Sequence, residues 1–380
     1  MGFIGGGLSS AIGRSHFGAS QLDGNWKLKA GCFSRQKDVS LNTASAWHIE
    51  TDRTYDTWQN LIKNESGKLD AVAVLTPTPD HSEVICALME NNIPVISEKP
   101  LVSSLEETSL IKKVFKENSH FLAVTFNYSG YPMVRELKER VKNGELGRIK
   151  QIRFEVPQET FMRLSATKGK EISPQSWRLK DGSLPTICLD LGVHLHHLAY
   201  FLLEEDPTHT MAEFSNYSPY DGLVDDILMW VKFGSGIKGS FWMSKAALGH
   251  RNGLKISLYG DKGSAHWLQM DPEKLKLSGN DGTCNIIDRG GSPIVCGLPR
   301  YNRYKAGHPA GFLEAFANLY SDIADALIQF NETGSHNNPY VFGFDHSVKG
   351  LSLFKAACKS NHNGSWQALK PFVPTSGEQI

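Results

Sequence analysis

Gly2-Phe3-Ile4-Gly5-Gly6-Gly7-Leu8-Ser9-Ser10-Ala11-Ile12-Gly13 opens the chain as a short apolar strand end, a glycine-rich turn and the start of a helix running through His16. Glycines let a backbone approach a pyrophosphate closely, and the N–H groups at a helix start face its charge. Gly5 and Gly7 fall on the first two positions of G-x-G-x-x-G, with Ser10 at the third. Gly13, three residues on, is placed to take over the close helix–strand contact. Gly5, Gly7, Leu8 and Ser9 are therefore candidate dinucleotide contacts. A glycine turn alone is weak evidence, so the downstream pattern has to carry the reading. The segment lacks the charged n-region and apolar run of a signal peptide and is not read as one.

Working outward, apolar strand-length runs alternate with helical stretches. A second strand is expected over Trp26–Phe33 and a short helix over Tyr55–Ile62. Asp70-Ala71-Val72-Ala73-Val74-Leu75 is continuously apolar after its first residue and is bounded by Thr76-Pro77, as suits a strand buried on both faces of a parallel sheet. Helix His81–Asn91, strand Ile93–Ser97, helix Leu105–Asn118 and strand Phe121–Thr125 follow. Such alternation predicts right-handed βαβ units and a doubly wound sheet, ending near residue 125. Beyond it, strands at Ile149–Val156, Ile227–Phe233, Gly236–Ser244, Leu254–Tyr259 and Ser264–Trp267 are closely spaced with turn residues between, which favours hairpins and an antiparallel sheet. Helices are expected over Tyr131–Asn143, Gly311–Phe330 and Phe344–Asn361. The domains expected are residues 1–125 and 126–380.

Composition narrows the function. With 40 basic and 40 acidic residues among 380, the net charge is zero, and no polybasic run offers a nucleic acid the basic surface it needs. No stretch reaches the roughly 20 apolar residues of a membrane span. Cys32, Cys86, Cys188, Cys284, Cys296 and Cys358 form no C-x-x-C pair, which fits neither a zinc cage nor a disulfide scaffold and suits a reducing, cytoplasmic compartment.

Three further segments carry chemistry. At the end of the second strand stands Ser34-Arg35, where a carboxylate would favour a free ribose 2′-hydroxyl. A hydroxyl and a guanidinium can hold a 2′-phosphate, and the pair reads equally well as a solvated loop. Ser97-Glu98-Lys99-Pro100 lies just past the carboxyl end of a strand, where doubly wound sheets place ligands. There Lys99 either projects into a cleft or pairs with Glu98 on the surface. In Thr186-Ile187-Cys188-Leu189-Asp190-Leu191-Gly192-Val193-His194-Leu195-His196-His197, Asp190 and His194 are four apart and share one face of a helix. Asp190 can then fix the tautomer of an imidazole that handles a proton near neutral pH. A metal held by Asp190, His194 and His197 has no second ligand cluster to support it, and His196 and His197 read as ordinary partly buried helix histidines.

Taken together, Gly5-Gly6-Gly7, Thr76-Pro77 with His81, Glu98-Lys99-Pro100 and Asp190-x-Gly192-x-His194 resemble the Gfo/Idh/MocA oxidoreductases, named after glucose-fructose oxidoreductase and inositol dehydrogenase. The Tyr131–Gly147 helix region, Trp177-Arg178 and Gly307-His308-Pro309-Ala310-Gly311-Phe312 are similar to a sugar or cyclitol dehydrogenase branch. The resemblance spans nearly the whole chain. It implies an α/β protein: an N-terminal Rossmann doubly wound parallel sheet plus a C-terminal α+β domain with a large, mostly antiparallel sheet. It implies that Lys99 polarises the reacting hydroxyl, that His194 is the acid/base and that Asp190 is its neighbour. Thr76, Pro77, His81 and Glu98 would line the dinucleotide cleft, and Asn127 would border both ligands. Trp177 and Arg178 would approach the nicotinamide, and Tyr128 and His308 would contact substrate. NAD or NADP would be the cofactor, a sugar or cyclitol the substrate, and a homodimer or homotetramer the assembly.

The activity expected is hydride transfer between a nicotinamide and a secondary hydroxyl, with no metal, nucleic acid or membrane partner. Two rivals on the same fold are a dinucleotide-binding regulator without catalysis and a redox-assisted glycoside cleavage.

Overall fold

The computed structural model describes residues 1–163, 176–291 and 293–370. Its Cα positions divide into two compact units, and the first holds Met1–Gly130 and Phe312–Val348. In that unit β1 (Gly2–Gly5) leads through the glycine turn into α1 (Ala11–Leu22), followed by β2 (Ala30–Cys32), α2 (Lys37–Ala46), α3 (Trp58–Glu65), β3 (Val72–Leu75), α4 (His81–Glu90), β4 (Val95–Ser97), α5 (Leu105–Val114) and β5 (Leu122–Val124). All five strands are parallel, in the order β2-β1-β3-β4-β5. The order reverses between β1 and β3, so their carboxyl ends flank a topological switch point, where ligands of such sheets bind.

Local chemistry explains the element ends. Ser10, Thr57 and Ser104 are N-caps whose hydroxyls accept from the backbone N–H groups of Gly13, Asn60 and Glu107. Each cap satisfies a donor that has no partner within its helix. β3 is apolar throughout and buried on both faces, as expected of a central parallel strand. The expected strand 26–33 pairs over only three residues. Trp26 and Leu28 are buried before the pairing starts, and the Trp26 indole N–H donates to the Tyr320 carbonyl.

The second unit holds Tyr131–Gly311 and residues 349–370 of the described chain. It begins with α6 (Pro132–Lys142) and β6 (Ile149–Pro157) and continues through a π-helical turn, Cys188–Gly192, into α7 (Val193–Leu203). Strands β7 (Pro207–Ser215), β8 (Asp226–Phe233), β9 (Lys238–Ser244), β10 (Lys255–Gly260), β11 (Gly263–Leu268), β12 (Leu275–Gly279), β13 (Cys284–Ile287) and β14 (Gln367–Ala368) complete a nine-stranded sheet. Every neighbouring pair is antiparallel except β6–β9. One face is apolar and buried: Phe154 of β6 stacks on Phe241 of β9 at 5.9 Å, with Ile227, Met229 and Val231 of β8 in the same phase. The opposite face carries Leu228, Trp230 and Lys232.

The late helices are α8 (Phe312–Thr333) and α9 (Phe344–Asn363). α8 belongs with the first unit, where Phe316, Leu319, Tyr320 and Ile323 join the core built by Phe3, Ala19, Trp26 and Trp47. A single cut near residue 125 therefore differs from the compact units, because α8 packs on α1 although some 290 residues of chain separate them. Among the described residues no helix is long and apolar enough to cross a membrane.

Candidate active site

The glycine turn is built for close approach. Gly5 has φ +82°, and a Cβ there would lie 2.7 Å from the Leu75 carbonyl and the Thr76 nitrogen. A Cβ on Gly13 would lie 1.9 Å from the Gly6 carbonyl oxygen. Gly13 thus makes the helix–turn contact that the third glycine of the fingerprint usually makes, while Ser10 at that third position caps α1. Of the other turn residues, the Leu8 N–H donates to the Thr43 hydroxyl at 3.0 Å, and Ser9 is exposed.

Thr76, Pro77 and His81 follow β3. The buried His81 ring places Nε2 2.9 Å from the Thr76 carbonyl and Nδ1 3.0 Å from the Pro100 carbonyl, tying the turn after β3 to the turn after β4. Burial pushes its imidazole below the ordinary value despite these carbonyls. Thr76 Oγ1 and Asn127 Nδ2 are buried with no hydrogen-bond partner among the described residues. Buried polar atoms are normally paired, so each is a candidate contact for a bound ligand or water. Tyr128, beside Asn127, is buried and packs edge-on to Phe312.

Glu98 does not form a surface pair with Lys99. Its carboxylate is buried, with Oε2 3.0 Å from His16 Nε2 and accepting from the Thr125 hydroxyl at 2.5 Å. Burial pushes the Glu98 carboxyl up, but His16, the Lys99 charge and Thr125 outweigh it and hold the group below its ordinary value. Lys99 follows at the start of the turn and is half-buried.

At the same carboxyl end of the sheet, after the edge strand β2, Ser34 accepts from the Gln36 N–H, and Arg35 reaches the Asp80 carboxylate at 3.2 Å with its side chain 87% exposed. So exposed a pair is worth about 0–1 kcal/mol and leaves Arg35 able to move.

In the second unit, Asp190 sits in the π-helical turn, where hydrogen bonds run from i to i+5. Its step of four to His194 is therefore less than one full turn at that point. Asp190 Oδ2 accepts from Lys245 Nζ at 2.5 Å and from Arg178 Nη1 at 2.6 Å. Lys245, 4% exposed just past the end of β9, is a partner of the candidate site that the sequence reading missed. The signal was present: Lys245 continues the inward phase of Phe241 and Met243, where a charged side chain needs a partner. His194 is buried on the first turn of α7. His196 pairs with Asp206, and burial with neighbouring positive groups holds His197 well below its ordinary value, a neutral core histidine. The Trp177 side chain lies outside the described residues. His308 is exposed, and its carbonyl accepts from the buried Arg289, which also holds Glu273 and the Tyr301 carbonyl.

Comparison with known proteins gives the family. The family model described as oxidoreductase family, NAD-binding Rossmann fold (GFO_IDH_MocA) matches residues 1–126, and the GFO/IDH/MocA C-terminal domain matches residues 134–266. The two models together span more than half of the chain. The chain belongs to the Gfo/Idh/MocA oxidoreductase family, and its N-terminal domain is an NAD-binding Rossmann domain. An uncharacterized oxidoreductase of Bacillus subtilis, YfiI, is 26% identical, with 97% of this chain and 96% of that protein covered. The scyllo-inositol 2-dehydrogenase (NAD⁺) of Bacillus subtilis is 27% identical over 53% of this chain and 55% of its own. A crystal structure of an inositol dehydrogenase homologue from Azotobacter vinelandii, complexed with NAD⁺, superposes with a TM-score of 0.86 at 25% identity, covering 97% of this chain and 96% of that one. A second structure of that homologue contains NADH and myo-inositol and shares the fold, with a TM-score of 0.86 at 24% identity over the same coverage. The residues present fit a dinucleotide: Gly5 leaves no room for a side chain, and the Thr76 and Asn127 polar atoms await partners.

Proposed function

We propose that the protein transfers a hydride between NAD and a secondary hydroxyl of a sugar or cyclitol. The observation that carries this reading is the pairing of an NAD-binding glycine turn with the Glu98-Lys99-Pro100 turn and an Asp190/His194 pair in one chain of this family. The inositol and NAD named for its relatives support the choice of substrate class and cofactor. When bound, the nicotinamide supplies the hydride-accepting carbon. The protein's own residues handle the rest. Lys99, as an ammonium, stabilises the negative charge that develops on the reacting oxygen. His194 takes the hydroxyl proton, and Asp190, itself fixed by Lys245 and Arg178, is its acidic neighbour. Gly5 and Gly7 admit the pyrophosphate, with Leu8 and Ser9 completing the turn. Thr76, Pro77 and Asn127 border the dinucleotide, and Tyr128 and His308 contact substrate. Asp80 beside Arg35 opposes a 2′-phosphate, which favours NAD over NADP.

The test is a panel of inositols, monosaccharides and glycosides with NAD⁺ and with NADP⁺, read by nicotinamide absorbance. Reduction of NAD⁺ by at least one polyol is expected, faster than reduction of NADP⁺. Tight NAD⁺ binding with no reduction by any compound would point to a regulator, and aglycone release without net reduction to glycoside cleavage.

The same reading makes the protein a cytoplasmic homodimer or homotetramer. Its six cysteines are all unpaired, as in a reducing compartment. On β8, Leu228 and Trp230 are 52% and 57% exposed, with Trp242 of β9 directly across from Leu228. Such an apolar patch on an open sheet face suits a second copy of the chain. Light scattering is expected to give a dimer or larger, and Trp230→Glu to shift it toward monomer. A monomeric wild type would contradict this assembly.

A further inference from the structure

A buried hydrogen-bonded chain runs through the first unit from Tyr320 on α8, through His16 on α1, to Glu98 and Thr125. The Tyr320 hydroxyl lies 2.6 Å from His16 Nδ1, and His16 Nε2 lies 3.0 Å from Glu98 Oε2. The Thr125 hydroxyl donates to the same carboxylate oxygen. His16 is 0% exposed and is packed edge-on against Phe316 at 4.5 Å and Phe3 at 6.4 Å, so its ring has no room to turn. Burial and the Glu98 charge keep the Tyr320 phenol protonated. One proton assignment satisfies every member: Tyr320 donates to Nδ1, Nε2–H donates to Glu98, and Thr125 donates to Glu98.

The two ends of this chain have different duties. His16 stands one turn after Gly13, on the helix whose start would face a bound pyrophosphate. Glu98 stands immediately before Lys99, and its own N–H donates to the Val74 carbonyl of β3. The helix that opens the dinucleotide site and the turn that carries the lysine are thus joined through a single imidazole. His16 is wholly buried and Glu98 is 9% exposed, and a buried network of this kind rigidifies what it joins.

We propose that His16 is a positioning residue for hydride transfer: by holding the Glu98 carboxylate it fixes the Lys99 turn relative to α1 and so sets where the ammonium meets the reacting oxygen. This rests on the reading of Lys99 as catalytic. A displacement of about 1 Å at a reacting group costs on the order of a hundredfold in rate, so loosening one anchor is expected to cost tenfold or more.

Four variants test it with NAD⁺ and the fastest polyol of the panel above, protiated and deuterated at the reacting carbon. His16→Leu fills the space without a donor. It is expected to lower kcat by roughly tenfold or more and to raise the deuterium isotope effect on kcat, with NAD⁺ affinity unchanged. His16→Gln keeps an N–H directed at Glu98 and is expected to recover most of kcat. Tyr320→Phe, which leaves the His16–Glu98 bond in place, is expected to give a smaller fall with an isotope effect raised in the same sense. It carries the test if His16→Leu does not fold. The proposal is overturned if His16→Leu keeps wild-type kcat, if Leu and Gln variants lose activity equally, or if Tyr320→Phe leaves the isotope effect unchanged. It is also overturned if NAD⁺ affinity falls in step with kcat, since His16 would then only support α1. Lys99→Met in the same assay separates this from failure of the underlying reading: full activity in that variant removes Lys99 from the chemistry whatever His16 does.

Discussion

Lys99→Met and His194→Ala are each expected to lower kcat by roughly 10²–10⁴-fold while NAD⁺ binding survives. Oxidising a secondary alcohol removes a hydride from carbon and a proton from oxygen, so the oxygen passes through a state richer in negative charge. An ammonium held at that oxygen stabilises the transition state more than the neutral alcohol, and only such differential interactions raise kcat. Lys99 occupies the start of a turn whose preceding residue, Glu98, is fixed by His16 and Thr125, so its backbone is anchored rather than free to wander. His194 is a buried imidazole on the first turn of α7, and an imidazole is the side chain best matched to proton transfer near neutral pH. Neither residue belongs to the glycine turn, which is why cofactor affinity is expected to persist. Stopped-flow turnover together with fluorescence titration of NAD⁺ checks both halves. Near-wild-type turnover in both variants would remove the proposed roles.

Gly13→Ala is expected to cost most of the NAD⁺ affinity and to destabilise the first unit. An added Cβ would meet the Gly6 oxygen at 1.9 Å, the Gly6 carbonyl carbon at 2.4 Å and its Cα at 2.7 Å. These are backbone atoms, so the clash is relieved only by moving α1 away from the turn. Overpacking of this kind costs about 1–3 kcal/mol, a loss of roughly 5-fold to 150-fold if it falls on binding. Gly182→Ala is the control, because a Cβ there meets nothing within 4 Å. Calorimetric titration with NAD⁺ and a thermal melt of each variant check this. Wild-type affinity in Gly13→Ala would mean that α1 does not shape the pyrophosphate site.

The sequence showed the parts of this fold that depend on neighbours in the chain. The apolar run before Thr76 became the central strand β3, and the glycine turn formed where expected, because strand burial and turn conformation are set by local residue type. The polar strand β7 and the exposed strands β12 and β13 were not legible: their side chains alternate weakly or not at all, since much of each strand faces water. The length of the second strand was overread because buried residues such as Trp26 and Leu28 serve the core without pairing. The site divides in the same way. Lys99, Asp190 and His194 were picked out by position and spacing, and their roles came only from the resemblance to the family. The partners that hold them did not. His16 reaches Glu98 across 82 positions and Tyr320 across 304, and no periodicity carries such distances. Lys245 reaches Asp190 across 55 positions, and only its inward phase on β9 hinted at a buried ion pair.

The most direct test of the account is a crystal structure of the protein with NADH and a bound polyol from the active panel. Lys99 Nζ and a ring nitrogen of His194 are expected within hydrogen-bonding distance of one hydroxyl, with its carbon against nicotinamide C4. A complex in which the two side chains hold different hydroxyls, or in which either is turned away from the carbon facing the nicotinamide, would contradict it.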